Sequence, residues 1–172
     1  MLLCFSNRRI LSLNIKVFNL MKLREATIQD LPILLEFEKG LIEYERNFTP
    51  NLKKSPFNYY DLRKYIEDQE ISVVVAEQDN IIIASGYALI RENKHYKNPK
   101  NYVFLGFMYV IPEKRGLGIN NMIINYLLDW GKNKGYQEFQ LEVYAPNTSA
   151  IKAYEKAGFT QDTLTMRINT ED

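Results

Sequence analysis

The stretch "VIPEKRGLGINNMI", residues 110–123, decides how the fold is interpreted, because two glycines in it join an apolar run to a helical pattern. Upstream, "YVFLGFMYV" at 102–110 is apolar almost throughout, which predicts a strand buried on both faces. Downstream, the apolar spacing predicts a helix over 117–134. With a further strand predicted over 137–143, the unit is a βαβ crossover with two parallel strands. The apolar stripe of the helix consists of Ile119, Met122, Ile123, Tyr126, Leu127 and Trp130.

The turn between strand and helix exposes backbone. Gly116 and Gly118 remove side chains at the place where unpaired N–H groups collect before a helix, and Arg115 adds a positive charge. This arrangement accepts a phosphate, although a plain tight turn explains the glycine spacing equally well. Gly106, in the middle of the preceding strand, indicates a bulge or a place where another backbone or a ligand comes close.

The rest of the chain alternates strands and helices, which predicts one mixed α/β sheet. A β-branched pair of runs around the turn "QDN", residues 78–80, predicts a hairpin. The other expected features are a first strand at "KLREA", Asp30 as an N-cap, a helix interrupted at Gly40, a short helix in "NYYDLRKYIEDQE", Asn147 and Gly158 as the start and stop signals of a helix, and a last strand at "TLTMRI".

Composition limits the function classes. The 172 residues are 46% hydrophobic, which fits one domain at 21–172 preceded by a poorly ordered extension at 1–20. A net charge of +1 provides no excess of basic residues for binding nucleic acid. No apolar run is long enough for a membrane span. A single cysteine, Cys4, and a single histidine, His95, exclude a disulfide framework and the common zinc motifs, so we expect a cytoplasmic protein without a metal.

Two motifs resemble those of the GNAT superfamily of acyl-CoA-dependent N-acyltransferases. Val110, Arg115 and Gly118 are similar to the family signature [V/I]-x4-[R/Q]-x-x-G-x-[G/A]. The sequence departs from it at Asn120, where the family usually has glycine or alanine. The likeness extends over about 21–168 and is strongest over 102–159. The second motif is carried by Asn147, Ala150, Ile151, Tyr154 and "KAGF" at 156–159.

This resemblance implies a mostly antiparallel mixed sheet with a splayed central pair of parallel strands, flanked by helices. It also implies acetyl-CoA as co-substrate, with its pantetheine arm between the splayed strands and its pyrophosphate on the turn. The residues that would bind it are Met108, Tyr109, Val110, Arg115, Gly116, Leu117, Gly118, Ile119, Asn120, Asn147 and Tyr154.

The same resemblance assigns Tyr154 as the acid that protonates the departing thiolate; the alternative is a tyrosine that only packs against Ile151. The base is less clear, because Gly106, Phe107 and Met108 offer no carboxylate where many relatives have one. Glu142 lies on the strand face that the splay should open and is predicted to act through a water, with a solvated strand glutamate as the alternative.

For the acceptor, the family uses its first helical region, which here places four glutamates among aromatic side chains. A cationic amine suits such a surface, although a solvated helix face explains each glutamate as well. We therefore predict direct acetyl transfer from acetyl-CoA to a primary amine, small or peptide, in a ternary complex. The alternative is a non-catalytic acyl-CoA-binding or regulatory module. A homodimer is compatible with the resemblance. The glutamates are Glu36, Glu38, Glu43 and Glu45.

Overall fold

The computed structural model describes residues 21–54 and 56–170, so the predicted extension at 1–20 lies outside the described residues. The strands are β1 (Met21–Glu25), β2 (Ser72–Gln78), β3 (Ile81–Glu92), β4 (Asn101–Val110) and β5 (Phe139–Leu141). The helices are α1 (Leu31–Glu45), α2 (Leu62–Glu67), α3 (Ile119–Asn133) and α4 (Thr148–Lys156).

The strands form one sheet in the order β1-β2-β3-β4-β5. All neighbours are antiparallel except β4 and β5, which are parallel, as the βαβ unit predicts. The hairpin between β2 and β3 turns at Asp79 and Asn80, both with positive φ (52° and 62°), which matches the twist of the flanking strands. The predicted sheet type is therefore confirmed.

The sheet is covered on both faces, so its central strands alternate between two apolar cores. On β2, Val74 belongs to the core under α3, and Val75 belongs to the core under α1 and α2. The predicted apolar stripe of α3 faces the sheet, with Ile119, Ile123 and Leu127 almost fully buried. Through this stripe α3 packs against β2, β3 and β4.

Strand β4 contains the predicted bulge. Tyr87 of β3 lies opposite Gly106, but Ser85 lies opposite Tyr109, so β4 has one extra residue between these pairs. The residue with positive φ is Phe107 (55°), not the glycine beside it. Gly106 is needed for another reason: a Cβ there would lie 2.6 Å from the Tyr87 ring. The glycine therefore admits a side chain beneath the strand.

Two predictions in the first helix are wrong in detail. Gly40 does not interrupt it, because α1 runs unbroken through that position. A Cβ on Gly40 would come within 2.5 Å of the Tyr109 hydroxyl, so the glycine lets β4 approach the helix. Asp30 occupies the N-cap position without capping the helix. Its carboxylate instead pairs with Arg24 at 2.7 and 3.0 Å, which holds the pKa of Asp30 at about 2, below its usual range.

The predicted last strand is also wrong for the described residues. Residues 159–170 follow α4 without joining the sheet, and every residue from Thr160 onward in this segment is exposed. The helix before it ends as expected, because Gly158 adopts φ 96° and the Phe159 N–H donates to the Tyr154 carbonyl at 3.1 Å. The predicted helix in "NYYDLRKYIEDQE" is only the six-residue α2, capped by Asp61.

Candidate active site

The turn before α3 presents bare backbone, as its glycines predict. Gly116 and Gly118 have φ of 76° and 80°, a conformation that strains any other residue. Among the described residues, none of the six N–H groups from Gly116 to Asn121 donates a hydrogen bond within the chain. A Cβ added at Gly116 would meet no atom within 4 Å. These N–H groups, with the helix dipole behind them, form a site with the geometry and charge to hold a phosphate.

Arg115 connects this turn to the end of β4 and to α1. Its Nε donates to the Val110 carbonyl at 3.1 Å, and its guanidinium lies 5.0 Å from the centre of the Tyr44 ring and 5.9 Å from that of Tyr109. In the described part of the chain it forms no ion pair with a carboxylate, so its charge is free to act on an anion at the turn. The Asn120 side chain, half-buried in the first turn of α3, likewise makes no hydrogen bond there.

The parallel strands separate next to this turn. Pairing of β4 with β5 begins with Val103 opposite Phe139 and stops after Leu105 opposite Leu141. Beyond that point β4 continues through its bulge to Val110, and within the described residues no strand pairs with its β5 side. The splay therefore exists, and the backbone of the predicted residues Met108, Tyr109 and Val110 lines it.

The side chains of that segment alternate between the two cores and do not fill the gap. Met108 packs in the core under α3, whereas Tyr109 lies on the α1 side, 4.9 Å from the Phe37 ring. Ile119 directs its side chain into the core between α3 and the sheet, so it can offer only backbone groups to a ligand, whereas the Leu117 side chain is exposed and accessible. What β4 and the turn provide is a continuous line of backbone polar groups.

Helix α4 packs Tyr154 against the core under α3, within electrostatic reach of Glu45. The Asn147 side chain accepts from the Ala150 N–H at 3.2 Å, which confirms it as the N-cap and uses its oxygen. The Tyr154 ring packs edge-on against Phe159, with 6.3 Å between centroids. Burial, helped by the negative charge of Glu45, raises the pKa of Tyr154 to about 12. The hydroxyl therefore keeps its proton at neutral pH, as a proton donor must.

The four glutamates of α1 fall into three different environments. Glu36 pairs with Lys39 and Glu43 pairs with Arg46, both on the exposed face. Glu38 is fully buried. Glu45 is half-buried, and in the described part of the chain it forms no salt bridge. Only Glu45 therefore combines partial burial with a charge that no cation compensates.

Buried Glu38 organises the loop that follows α1. Its carboxylate accepts from the backbone N–H groups of Tyr59 (2.6 Å) and Tyr60 (2.8 Å) and from the Asn58 side chain. The sequence suggested that Glu38 faces an acceptor, but its lone pairs are engaged within the protein. The result is that two tyrosines of the segment "NYYD" are held against the end of α1.

Tyr59 brings a buried hydroxyl to Glu45. The hydroxyl oxygen is inaccessible to solvent and has no hydrogen-bond partner of good geometry. The groups that act on it electrostatically are Glu45 and Tyr144, and burial together with these neighbours raises the pKa of Tyr59 above its usual value. Burial also raises the pKa of Glu45. Tyr59, Glu45, Tyr144 and Tyr154 are thus electrostatically coupled around one polar region.

Sequence reasoning missed Tyr59 and Tyr60, because it assigned their segment to a helix. The run of aromatic residues in "SPFNYYD" was the available signal, since an aromatic run in a loop needs a surface to pack against. His95 lies exposed in its loop beside Tyr96. Groups of three or more potential metal ligands do not occur among the described residues.

Glu142 lies just past the end of β5, where the splay opens. It is exposed, and its negative charge contributes to a raised pKa of Tyr87, whose ring lies under Gly106. The structure thus brings Glu142 to the splay from the β5 side, while Glu45 approaches from α1.

Among the described residues, no helix is long and apolar enough to cross a membrane.

Residues 39–159 match the family described as Acetyltransferase (GNAT). The chain belongs to this family. It is therefore an N-acetyltransferase, with acetyl-CoA as its co-substrate. The matched range begins within α1 and ends directly after α4, so it includes the turn, the splay and Tyr154.

Curated relatives include N-alpha-acetyltransferase 30 of Schizosaccharomyces pombe, 29% identical over 105 residues, which is 60% of this chain and 67% of that protein. An aminoglycoside N(6')-acetyltransferase type 1 of Salmonella typhimurium is 27% identical over 59% of this chain and 70% of its own length. The names of both relatives place the acetyl group on nitrogen.

Solved structures share the fold. The tetramutant of the BH1408 protein from Bacillus halodurans superposes with a TM-score of 0.76 at 19% identity, covering 86% of this chain and 99% of that one. A predicted acetyltransferase from Clostridium acetobutylicum, solved with acetyl-CoA, has a TM-score of 0.66 at 19% identity, with 87% and 96% covered. At these identities the comparison establishes the architecture only.

Proposed function

We propose that this protein transfers an acetyl group from acetyl-CoA to a primary amine that binds between the end of α1, the Tyr59 loop and the splay. The observation that carries the proposal is the line of unpaired N–H groups from Gly116 to Asn121 beside the splay, together with a partly buried Tyr154 that keeps its proton. The likeness to relatives named as N-acetyltransferases of an α-amine and of aminoglycosides supports an amine acceptor.

In this proposal the backbone holds the co-substrate. The N–H groups of the turn, Arg115 and the Asn120 amide bind the pyrophosphate. The backbone of Met108 to Val110, on the side of β4 that no strand pairs with, orients the pantetheine arm. Acetyl-CoA supplies the activated acyl thioester. The Asn147 side-chain oxygen is engaged at the N-terminus of α4, which leaves its amide nitrogen as a further donor.

Two protons must then be moved. Tyr154 donates its hydroxyl proton to the leaving thiolate sulfur as the C–S bond breaks. A primary amine has a pKa of about 10.4, so at neutral pH it arrives as an ammonium and must lose a proton to become a nucleophile. Glu45 is the stronger candidate for this role because it is half-buried and has no cation partner in the described chain, whereas Glu142 is exposed and would act through a water.

A thiol-release assay with a panel of amines tests the overall proposal. The full-length protein is expected to bind CoA by calorimetry and to release free thiol only when both acetyl-CoA and a primary amine are present. A tertiary amine of the same charge is the control, because it can occupy an ammonium site but cannot form an amide. CoA binding without any amine-dependent turnover would instead support the non-catalytic module, and no CoA binding would contradict both.

The turn is tested by Gly116→Ala, with Gly135→Ala as a matched control. Both glycines have positive φ (76° and 87°), and an added Cβ would meet no atom within 4 Å at either. Each substitution should therefore destabilise the fold by a similar amount, about 1–2 kcal/mol. Only Gly116→Ala also places a methyl group before the unpaired N–H groups, so we expect its Kd for CoA to rise about tenfold, the loss of roughly one hydrogen bond. Equal affinities in the two variants would contradict the proposed phosphate site.

A further inference from the structure

Strand β3 carries a half-buried arginine whose charge no carboxylate of the described chain neutralises. The Arg91 guanidinium lies 3.4 Å from the centre of the Phe104 ring on β4, and its side chain forms no salt bridge or hydrogen bond among the described residues. Stacking on a ring engages the flat face of a guanidinium and leaves the N–H groups at its edge able to donate. Arg91 is therefore held in position, and its donors are unused within the described chain.

The guanidinium lies over the part of the sheet that leads to the splay. In the register of β3 with β4, Arg91 is opposite Tyr102, but its guanidinium leans over Phe104, which pairs with Gln140 of β5. Paired residues lie on the same face of a sheet, so these side chains share the face on which α1 and α2 pack. Arg91 and Gln140 are both half-buried, so a ligand can reach them from solvent.

The same face reaches the splay about 7 Å further along β4, because Gly106 is two residues beyond Phe104. The Tyr87 ring lies against Gly106, 2.6 Å from where a Cβ there would be. Burial raises the pKa of Tyr87, Arg91 opposes this shift and Glu142 adds to it, so both charges act on one hydroxyl. A cation and an anion are thus within electrostatic reach of the point where the strands separate.

We infer that the acceptor is a primary amine that carries a carboxylate, which Arg91 binds while the amine lies at the splay. The inference rests on the proposed acetyl transfer and names its substrate class. The edge of a guanidinium donates two parallel N–H bonds to a carboxylate, so the contact orients the acceptor as well as attracting it. About 7 Å separate the two positions, which excludes an α-amine beside its own carboxylate and fits an ω-amino acid of about five methylene groups.

The charges on this face favour a carboxylate over a phosphate. Glu138, just before β5, lies on the same side of the strand as Gln140 and accepts from its amide at 3.4 Å. Glu142 is two residues away from Gln140 in the other direction. One arginine close to two carboxylates attracts a single negative charge, whereas the second charge of a phosphate would be repelled.

Three primary amines of equal length test the inference: ω-aminohexanoate, ω-aminohexanol and α,ω-diaminohexane. They present the same amine to the splay and a negative, neutral or positive group to Arg91. In the unmodified protein, we expect kcat/KM for ω-aminohexanoate to exceed that for the alcohol about 10–100-fold, the range for a hydrogen bond between charged groups. The diamine should be the poorest of the three. Equal use of the alcohol or the diamine would overturn the inference.

Arg91→Met tests whether the arginine is the source of this preference. Methionine keeps an apolar contact with the Phe104 ring but cannot donate, so KM for ω-aminohexanoate should rise about 10–100-fold while kcat changes little. Lys94→Met is the matched control, because Lys94 also lies over a ring, that of Tyr96 at 5.9 Å, but in the loop after β3. The control should keep the preference for the carboxylate. The same preference in Arg91→Met would contradict the inference.

Calorimetry separates this inference from the proposed acetyl transfer. In this experiment ω-aminohexanoate is titrated into the CoA-saturated protein and into its Arg91→Met variant, so that binding is measured without turnover. Binding that the variant loses supports the inference, even where no amine is acetylated and the acetyl transfer is wrong. Turnover of all three amines at equal rates would retain the acetyl transfer and overturn the inference, as would an unmodified protein that does not bind ω-aminohexanoate.

Discussion

Tyr154→Phe is expected to lower kcat by about 10²–10⁴-fold while leaving the Kd for CoA nearly unchanged, the usual range for loss of a general acid. The phenyl ring keeps the edge-on contact with Phe159, so α4 and the turn should retain their structure. What disappears is the hydroxyl, whose pKa burial and Glu45 raise to about 12. Separate measurements of kcat by thiol release and of Kd by calorimetry test the two halves of this expectation.

Tyr126→Phe on α3 is the matched control. The Tyr126 hydroxyl contacts the Glu25 carboxylate at 3.2 Å, and its ring packs on the same core as Tyr154, so its removal reports the general effect of losing one tyrosine hydroxyl. We expect its kcat to stay close to that of the unmodified protein. If Tyr154→Phe also turns over at the normal rate, the thiolate takes its proton elsewhere, and Tyr154 is a packing residue.

The parts of this fold that the sequence predicts well are those determined by near neighbours in the chain. Gly116 and Gly118 indicate a turn because their backbone conformation itself requires glycine. The stripe on α3 indicates a helix because its spacing repeats within a few residues. Together they predict where the turn with unpaired N–H groups lies, without knowledge of any contact distant in sequence.

The features that sequence reasoning missed depend on distant partners. Gly40 resembles a helix breaker until the Tyr109 hydroxyl, from β4, is found against it. Glu38 resembles a solvated glutamate until the loop with Tyr59 and Tyr60 donates to it. In both cases the residue type reports a close contact, but the sequence does not contain the identity of the partner.

The last predicted strand is a related case. The alternation of "TLTMRI" is a real strand pattern, yet a strand forms only where an edge accepts its backbone bonds. Among the described residues this segment does not pair with the sheet. The alternating pattern therefore does not produce a strand in this structure.

Glu45→Gln is expected to lower kcat/KM by about 10²–10⁴-fold, the range for loss of a general base, and to change the shape of its pH dependence. Burial raises the pKa of Glu45, with the Tyr59 hydroxyl opposing the shift. Only the ionised carboxylate can take a proton, so in the unmodified protein kcat/KM should rise as pH increases through this raised pKa. Glutamine has no such ionisation, and the rise should be lost. The measurement is kcat/KM for one amine from pH 4.5 to 8.

Glu43→Gln and Glu142→Gln make the assignment specific. Glu43 is on the same helix, exposed and paired with Arg46, so its variant should keep both the rate and the pH profile. Glu142 reaches the splay from β5, and its variant decides between the two carboxylates. Loss of the rise in Glu142→Gln with a normal profile in Glu45→Gln would assign the base to Glu142 acting through a water. In that outcome Glu45 would hold the ammonium without taking its proton, and its variant should then raise KM more than it lowers kcat.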